Sequence, residues 1–392
     1  MQSIHDHAQA LAPTTIAVRR DLHQHPEIAF EEVRTMGVIE QRLRALGLSP
    51  RSGLGGTGVV AVWDSGRAGP TVLARADIDA LPVPDEKGVD YASSIPGKCH
   101  ACGHDGHTAV LLSVAEVLLA RADELRGRIV FVFQPAEEIV RGAEAMLRDG
   151  ALEGITVDHV TGLHLSSAAA TGSVVLRAGP AMAATDTFTI VVHGKGGHAA
   201  KPDETIDPVI IAAQLVLNLQ SLVSRETDPV DQAVISVTSI HGGTAFNIIP
   251  ESVELKGTLR TFQAATRATL RRRILEVAAG VATTNRARVS SEWKEGSPAV
   301  VNDTDATARM RAVAERIVGS EKVIDGNPIM GGDDMALWLQ QAKGCYFFVG
   351  ASGGEASSWP HHHPNFDIDE AALPIAVELL ASSVVDLLNE AP

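Results

Sequence analysis

The chain has 392 residues, 45% of them hydrophobic, and its 33 Lys and Arg against 48 Asp and Glu give a formal net charge of -15. That length exceeds what one core usually fills, so two domains are expected, with apolar material for both. The acidic balance repels phosphate backbones and anionic lipid and no basic patch offsets it, so the expected partner is a small molecule, with no nucleic acid and no membrane.

The opening MQSIHDHAQALAPTT has no charged n-region followed by an apolar h-region. No segment approaches the roughly 18 uninterrupted apolar residues of a membrane span. Three cysteines occur, Cys99, Cys102 and Cys345. An odd number in a large chain suits a reducing compartment, and a cytoplasmic location is expected.

In chain order, VVAVW near Gly58, TVLARAD from Thr71 and IVFVFQ from Ile129 read as apolar strands, with a helical stretch TAVLLSVAEVLLARA from Thr108. Continuous apolar strands separated by helices predict a parallel sheet buried on both faces. Between about residues 181 and 295 the order becomes strand (TFTIVVHG), helix (DPVIIAAQLVLNLQSLVSR), two strands (QAVISVTSI, SVELKGTLRTF), helix (ATLRRRILEVAAGVATTN) and strand (ARVSSEWKE). This βαββαβ order is the split-βαβ, ferredoxin-like unit. The α/β pattern then returns with a helix from Thr304 to Val318, a helix around Asp334 to Gln341, the strand CYFFVGA from Cys345 and a final helix from Glu370. The expected class is α/β: a mixed, largely parallel sheet flanked by helices from residues 1–180 and 296–392, with an inserted ferredoxin-like domain over 181–295.

Four segments with groups able to hold cations, RADID, QPAEE, GLHL and WPHHHP, are expected to end apolar strands, and CGHDGH adds a fifth group just before a helix. Ligands collect outside the carboxyl ends of strands in open α/β sheets, so one cleft can contain them all. The densest run, Cys99 to His107, sets thiols, imidazoles and a carboxylate among glycines and reads as a metal site. Within it Cys102 and His104 are candidate ligands, reinforced by His100, Asp105 and His107; an isolated C-x-H would equally be a buried thiol and a surface imidazole. Cys99 and Cys102 form a lone C-x-x-C without a second pair or a thioredoxin context, so Cys99 reads as a bystander.

Glu137 and Glu138 are adjacent carboxylates that repel unless a cation neutralises them. Beside metals one ligates while its neighbour handles protons; otherwise they form an exposed acidic pair on a loop. His164 is either a core histidine or a ligand, and spacing does not choose among His361, His362 and His363. Asp77 and Asp79 either cap a helix or hold an imidazole ligand in its tautomer.

RADIDALP, HACGHDGHT, QPAEE, GLHL, GKGGHAAKP, GGTAFNIIPESVELKGTLRTF and HHPNFDID, in this order across nearly the whole chain, resemble the di-metal aminoacylase and carboxypeptidase family of metallopeptidases. The nearest branch is that of hippurate hydrolase, bacterial N-acyl-amino-acid amidohydrolases and plant auxin-conjugate amidohydrolases. The resemblance implies two divalent metal ions, Mn2+ or Zn2+ with Co2+ or Ni2+ as alternatives, held by Cys102, His104, Glu138, His164 and His362. It implies Glu137 as general base and His198 of the inserted domain, often supplied by a partner subunit, as donor to the oxyanion. Asn247 and Arg260 match lid positions that grip the substrate carboxylate, and Asp77 joins the catalytic set by orienting an imidazole.

The implied activity is hydrolysis of N-acyl-L-amino acids, hippurate-like, to a carboxylic acid and a free amino acid, in a homodimer formed through the inserted lid and dimerisation domain. A dipeptidase or carboxypeptidase would use the same metals. A non-catalytic metal-binding protein would have no need of a spare carboxylate such as Glu137. Arg75 stands where more distant relatives have a His ligand, which His104 replaces. Asp203 replaces a His after the lid-motif Pro, and Gly332, Asp333, Asp334 and Met335 replace Ser-Glu-Asp-Phe; both changes bear on substrate choice.

Overall fold

A computed structural model describes residues 2–390. The chain divides into two compact units, Met1–Ala181 with Val300–Asn327 and Asp333–Pro392, and Met182–Ala299 with Pro328–Gly332.

The first unit is built on an 8-stranded sheet in the order Arg51–Leu54, Gly58–Asp64, Arg128–Gln134, Thr71–Asp77, His159–Ala170, Lys343–Ser352, Val174–Leu176, Val323–Asp325. Its middle is parallel, while the Arg51–Leu54 and Gly58–Asp64 edge and the Val174–Leu176 contact are antiparallel. Both faces are covered: Val72, Leu73, Ala74, Val130, Phe131 and Phe133 are fully buried. The helices Ile4–Gln24, His104–Leu119 and Ala372–Leu388 pack against one another and share one apolar core with the sheet. Burying apolar side chains at roughly 25 cal/mol per Å² is the main force holding these layers together.

Two departures from the sequence expectation place the site. The helix expected from Thr108 begins at His104, because its first turn, His-Asp-Gly-His, is polar and lacks the apolar period that marks the rest. His164 does not end its strand, which runs on to Ala170. The neighbouring strand is the one that stops: Arg75 pairs with Gly162, and the strand ends at Asp77. His164 therefore comes level with the carboxyl end of its neighbour. Thr71–Asp77 and Arg128–Gln134 end together, with Asp77 opposite Gln134, so RADID and QPAEE emerge side by side.

The second unit is a 4-stranded antiparallel sheet in the order Ala233–His241, Ser252–Thr261, Ala184–His193, Arg288–Glu295. The helices Pro208–Ser221 and Ala264–Thr284 bury Ile211, Leu215, Leu219, Leu270 and Ile274 against Phe188, Ile190, Val192, Leu255 and Leu259. The helical run Pro208–Glu226, with mean hydropathy 1.2, is long and apolar enough to cross a membrane, but its buried residues belong to this core.

Candidate metal centre

The cluster forms where three chain segments turn. Gly103 takes φ 94 immediately before the helix, a conformation that costs an L-residue and suits glycine, and so separates Cys102 from His104 at the first turn. Ala136, at φ 53, turns the chain after the strand Arg128–Gln134, and the carboxylates of Glu137 and Glu138 come to 3.9 Å and 3.8 Å from His104 Nε2. The Ala136 N–H donates to the buried Glu32 Oε1 at 2.9 Å, which holds a conformation rare for a non-glycine residue. His362, at φ 67, is anchored by its N–H to Ala101 O at 2.7 Å.

One set of donor atoms, from Cys102, His104 and Glu138, lies within 4.8 Å of one another, as does a set from Cys102, His164 and His361. Cys102 Sγ stands 3.6 Å from His164 Nε2. His362 Nε2 is 3.4 Å from Glu138 Oε2. The five residues named as ligands are thus linked in one cluster, with His361 added on the Cys102 and His164 side.

Tautomers follow from the hydrogen bonds. His164 Nδ1–H donates to Leu165 O at 2.7 Å, which leaves the Nε2 lone pair facing the sulfur. His104 Nδ1–H donates to Asp79 O at 2.9 Å and lies 3.2 Å from Asp79 Oδ1, which leaves its Nε2 free. The other Asp79 oxygen accepts the N–H of Glu138 at 3.0 Å, so one carboxylate aligns two members of the cluster. His107 is used up internally: Nδ1–H donates to Asp77 Oδ1 at 2.5 Å, and Nε2 accepts the Leu165 N–H at 2.9 Å. Asp77 Oδ2 accepts from Arg75 Nη1 at 2.7 Å and lies 3.7 Å from His104 Nε2.

Against burial, Asp77 and Cys102 raise His104 well above its ordinary value, and the carboxylates around it still outnumber the positive charge. Burial, reinforced by Glu138, pushes the Cys102 thiol well above its ordinary range. Burial pushes the Glu138 carboxyl up to about 7. Glu137 is also raised well above the carboxylate range, by burial and then by Asp333 and Glu138. Burial holds His164 neutral, well below its ordinary value, and lowers His361 to about 4. His104 Nε2 and Glu138 Oε1 are buried without a hydrogen-bond partner, an arrangement rare in folded proteins unless a ligand completes it. Thiol, imidazole and carboxylate donors with free lone pairs fit a borderline divalent cation.

Behind Glu137 lies a network that joins residues the sequence left unconnected. Arg75 is 1% exposed and its guanidinium reaches Asp77, Asp333 Oδ1 at 3.3 Å, Asp334 Oδ1 at 3.1 Å and Gln134 Oε1 at 2.9 Å. Tyr346 OH donates to Asp333 at 2.8 Å, and Trp338 Nε1–H to Gln134 at 2.8 Å. Carboxylate oxygens of Glu137, Asp333 and Asp334 lie within 4.8 Å of one another. The Arg75 and Asp333 departures noted in the sequence meet here as one ion pair; Glu32 carried no signal beyond an acidic residue at the start of a helix.

His198, Asn247 and Arg260 belong to the second unit. His198 is exposed on the two-residue strand Gly197–His198, paired with Ile248. Its Nδ1 accepts the Ala200 N–H at 3.0 Å, so the proton of the neutral ring sits on Nε2. Asn247 is exposed, and its carbonyl accepts from Ala199 N at 3.0 Å. Arg260 is half-buried, donates from Nε to Thr258 Oγ1 at 3.1 Å and has no carboxylate partner among the described residues. Asp203 is exposed in the turn Pro202–Glu204.

Residues 73–386 match peptidase family M20/M25/M40. The chain is 40% identical over 374 residues to N-acetyl-L-cysteine deacetylase of Bacillus subtilis, covering 95% of this chain and 88% of that protein. It is 38% identical over 382 residues to IAA-amino acid hydrolase ILR1-like 2 of Arabidopsis thaliana, covering 96% and 85%. The crystal structure of the Bacillus subtilis YXEP protein, described as a dinuclear metal binding peptidase, superposes with a TM-score of 0.84 at 35% identity, over 97% of this chain and 99% of that one. The chain therefore belongs to peptidase family M20/M25/M40 and is a hydrolase of amide bonds.

Proposed function

We propose that this enzyme hydrolyses N-acyl-L-amino acids of the hippurate type to a carboxylic acid and a free amino acid. The observation that carries the reading is the pairing of unpartnered buried donors, His104 Nε2 and Glu138 Oε1, with a neighbouring carboxylate, Glu137, that the donor cluster does not use. Cys102, His104, Glu138, His164 and His362 would hold two divalent ions, Mn2+ or Zn2+ with Co2+ or Ni2+ as alternatives. Such ions supply Lewis acidity at the amide carbonyl and bring the pKa of a water toward roughly 7.

Glu137 takes the proton of the attacking water at its carboxylate and returns it to the departing amide nitrogen. The elevated affinity of Glu137 for a proton suits a group that must hold one between the two steps. Asp77 keeps His107 and the segment carrying the ligands in register through its hydrogen bonds. His198 donates from Nε2–H to the oxyanion, and losing such a donor typically costs about 3 to 4 kcal/mol. Asn247 and the unpaired guanidinium of Arg260 bind the free carboxylate of the substrate.

The inserted domain, over residues 181–295, acts as lid and as the contact of a homodimer; Ile210, Leu217 and Phe246 are exposed there by 57%, 74% and 99%, apolar side chains available to a partner. The three free cysteines fit a cytoplasmic enzyme.

The test is a comparison, on metal-reconstituted protein, of N-benzoylglycine with its carboxamide and with a dipeptide panel, read as amino acid released. The acylated amino acid should be preferred, and Arg260→Ala should cost about 10- to 100-fold in kcat/KM on it, the worth of a charged hydrogen bond, with little effect on the carboxamide. Equal rates on acid and carboxamide remove the carboxylate anchor; preference for dipeptides replaces the reading with a dipeptidase.

A further inference from the structure

The first unit buries a second polar cluster that the hydrolytic chemistry leaves unused. Cys99 is fully buried, and its sulfur lies 3.6 Å from Lys87 Nζ and 3.9 Å from His23 Nε2. The Lys87 side chain is 6% exposed and its ammonium is 2.9 Å from Asp85 Oδ1. His23, Asp85 and Cys99 are close enough to hold a metal, yet the site is already neutralised. Both ring nitrogens of His23 face carboxylates, Asp105 at 2.7 Å and Asp85 at 3.3 Å. Against the opposing effects of burial and Arg19, those carboxylates raise its pKa to about 10. No lone pair is free for a cation.

A primary amine held against a thiol, both out of bulk water, is instead the reactant pair for an oxidative crosslink. We propose that Lys87 and Cys99 form a modification site at which molecular oxygen joins the two side chains through one oxygen atom, as Sγ–O–Nζ. The S–H bond, two N–H bonds of the ammonium and the O–O bond break, while an S–O and an N–O bond form. Sulfur and nitrogen each give up two electrons and dioxygen takes up four. One oxygen atom stays in the bridge and the other leaves as water, which carries two of the three hydrogens; the third leaves as a proton.

Three further observations support the site. The covering loop is at the surface, with Pro82, Pro84, Glu86, Gly88 and Val89 exposed, so a small oxidant has a short path. The neighbouring His100 is buried with neither ring nitrogen partnered, and its ring lies 6.3 Å from that of His23. The Lys87 amine is also positioned to intercept sulfur oxidation before it proceeds along the usual ladder to sulfinic acid.

The experiment uses the full chain, metal-loaded, purified without air in thiol reductant and then exposed to air. The expected result is an intact-mass gain of one oxygen less two hydrogens, a digest in which the Lys87 and Cys99 peptides are joined, and loss of both on returning the reductant. Lys87→Arg and Cys99→Ser should each abolish the joined peptide. Air-exposed wild-type protein that keeps its reduced mass overturns the proposal. So does oxygen added on Cys99 with Lys87 left free, or an additional zinc equivalent bound by reduced wild type and lost in Cys99→Ser. The wild-type mass and digest decide the matter, even where a variant fails to fold.

Discussion

Two buried polar clusters in the first unit both draw on the segment Cys99–His107, one through Asp105 and the other through Cys102 and His104, and are organised in opposite ways. Around Arg19 the charges are paired, although Asp105 Oδ1 accepts no hydrogen bond: Nε meets Asp105 Oδ2 at 2.8 Å, Nη2 meets Asp367 at 2.6 Å, and Tyr91 OH closes on Asp367 at 2.7 Å. Around Cys102 the donors face one another with lone pairs unspent, and the carboxyl groups are pushed toward neutrality. Buried charges survive only when paired. The first cluster supplies its own counter-ions and serves the fold; the second lacks them, which is the physical mark of a site completed from outside.

Substitutions can separate the two. The largest effect is expected from Glu137→Gln, which removes the proton acceptor but leaves the donor set: turnover should fall by about 10²- to 10⁴-fold, with metal content by elemental analysis unchanged. Retained turnover would move the base elsewhere. Arg19→Met should act on the other cluster, stranding Asp105 and Asp367 at a cost of about 3 to 5 kcal/mol, read as a lower thermal midpoint with catalysis per folded molecule preserved.

A smaller change should follow from Asp79→Ala. That carboxylate touches His104 and the Glu138 backbone, so metal affinity should weaken by about 10- to 100-fold in a chelator titration while the fold persists. An affinity equal to wild type would show that His104 is held by the Asp79 carbonyl alone.

The mildest test is pH. His23 has its pKa raised from 6.5 to about 10, so its contribution to stability is complete below 6.5 and is lost as pH rises through about 10. Thermal midpoints should decline over that alkaline window, and the decline should vanish in His23→Gln.

The sequence was most legible where periodicity and residue type coincide. Apolar runs marked the strands Thr71–Asp77 and Arg128–Gln134, and the alternation of Ser252–Thr261 marked the inserted sheet. The ligand types in CGHDGH and QPAEE announced metal chemistry before any fold was known. The polar first turn of the helix at His104 was not legible, since hydrophobic period is blind to it. Nor was the split between His361, which faces Cys102 and His164, and His362, which faces Glu138; adjacent histidines look alike until φ 67 at His362 turns them apart.

Composition and order of residues determined the class of fold, the kinds of donor atom and the acidic pair, because these depend on local pattern and on chemistry that each side chain carries with it. Only tertiary structure decided which donors are spent. It committed His107 to Asp77 and Leu165, left His104 Nε2 free, and closed Arg75 onto Asp333 and Asp334. Whether a buried polar atom serves the fold or a ligand depends on partners that are distant in the chain, and folding alone brings those partners within reach.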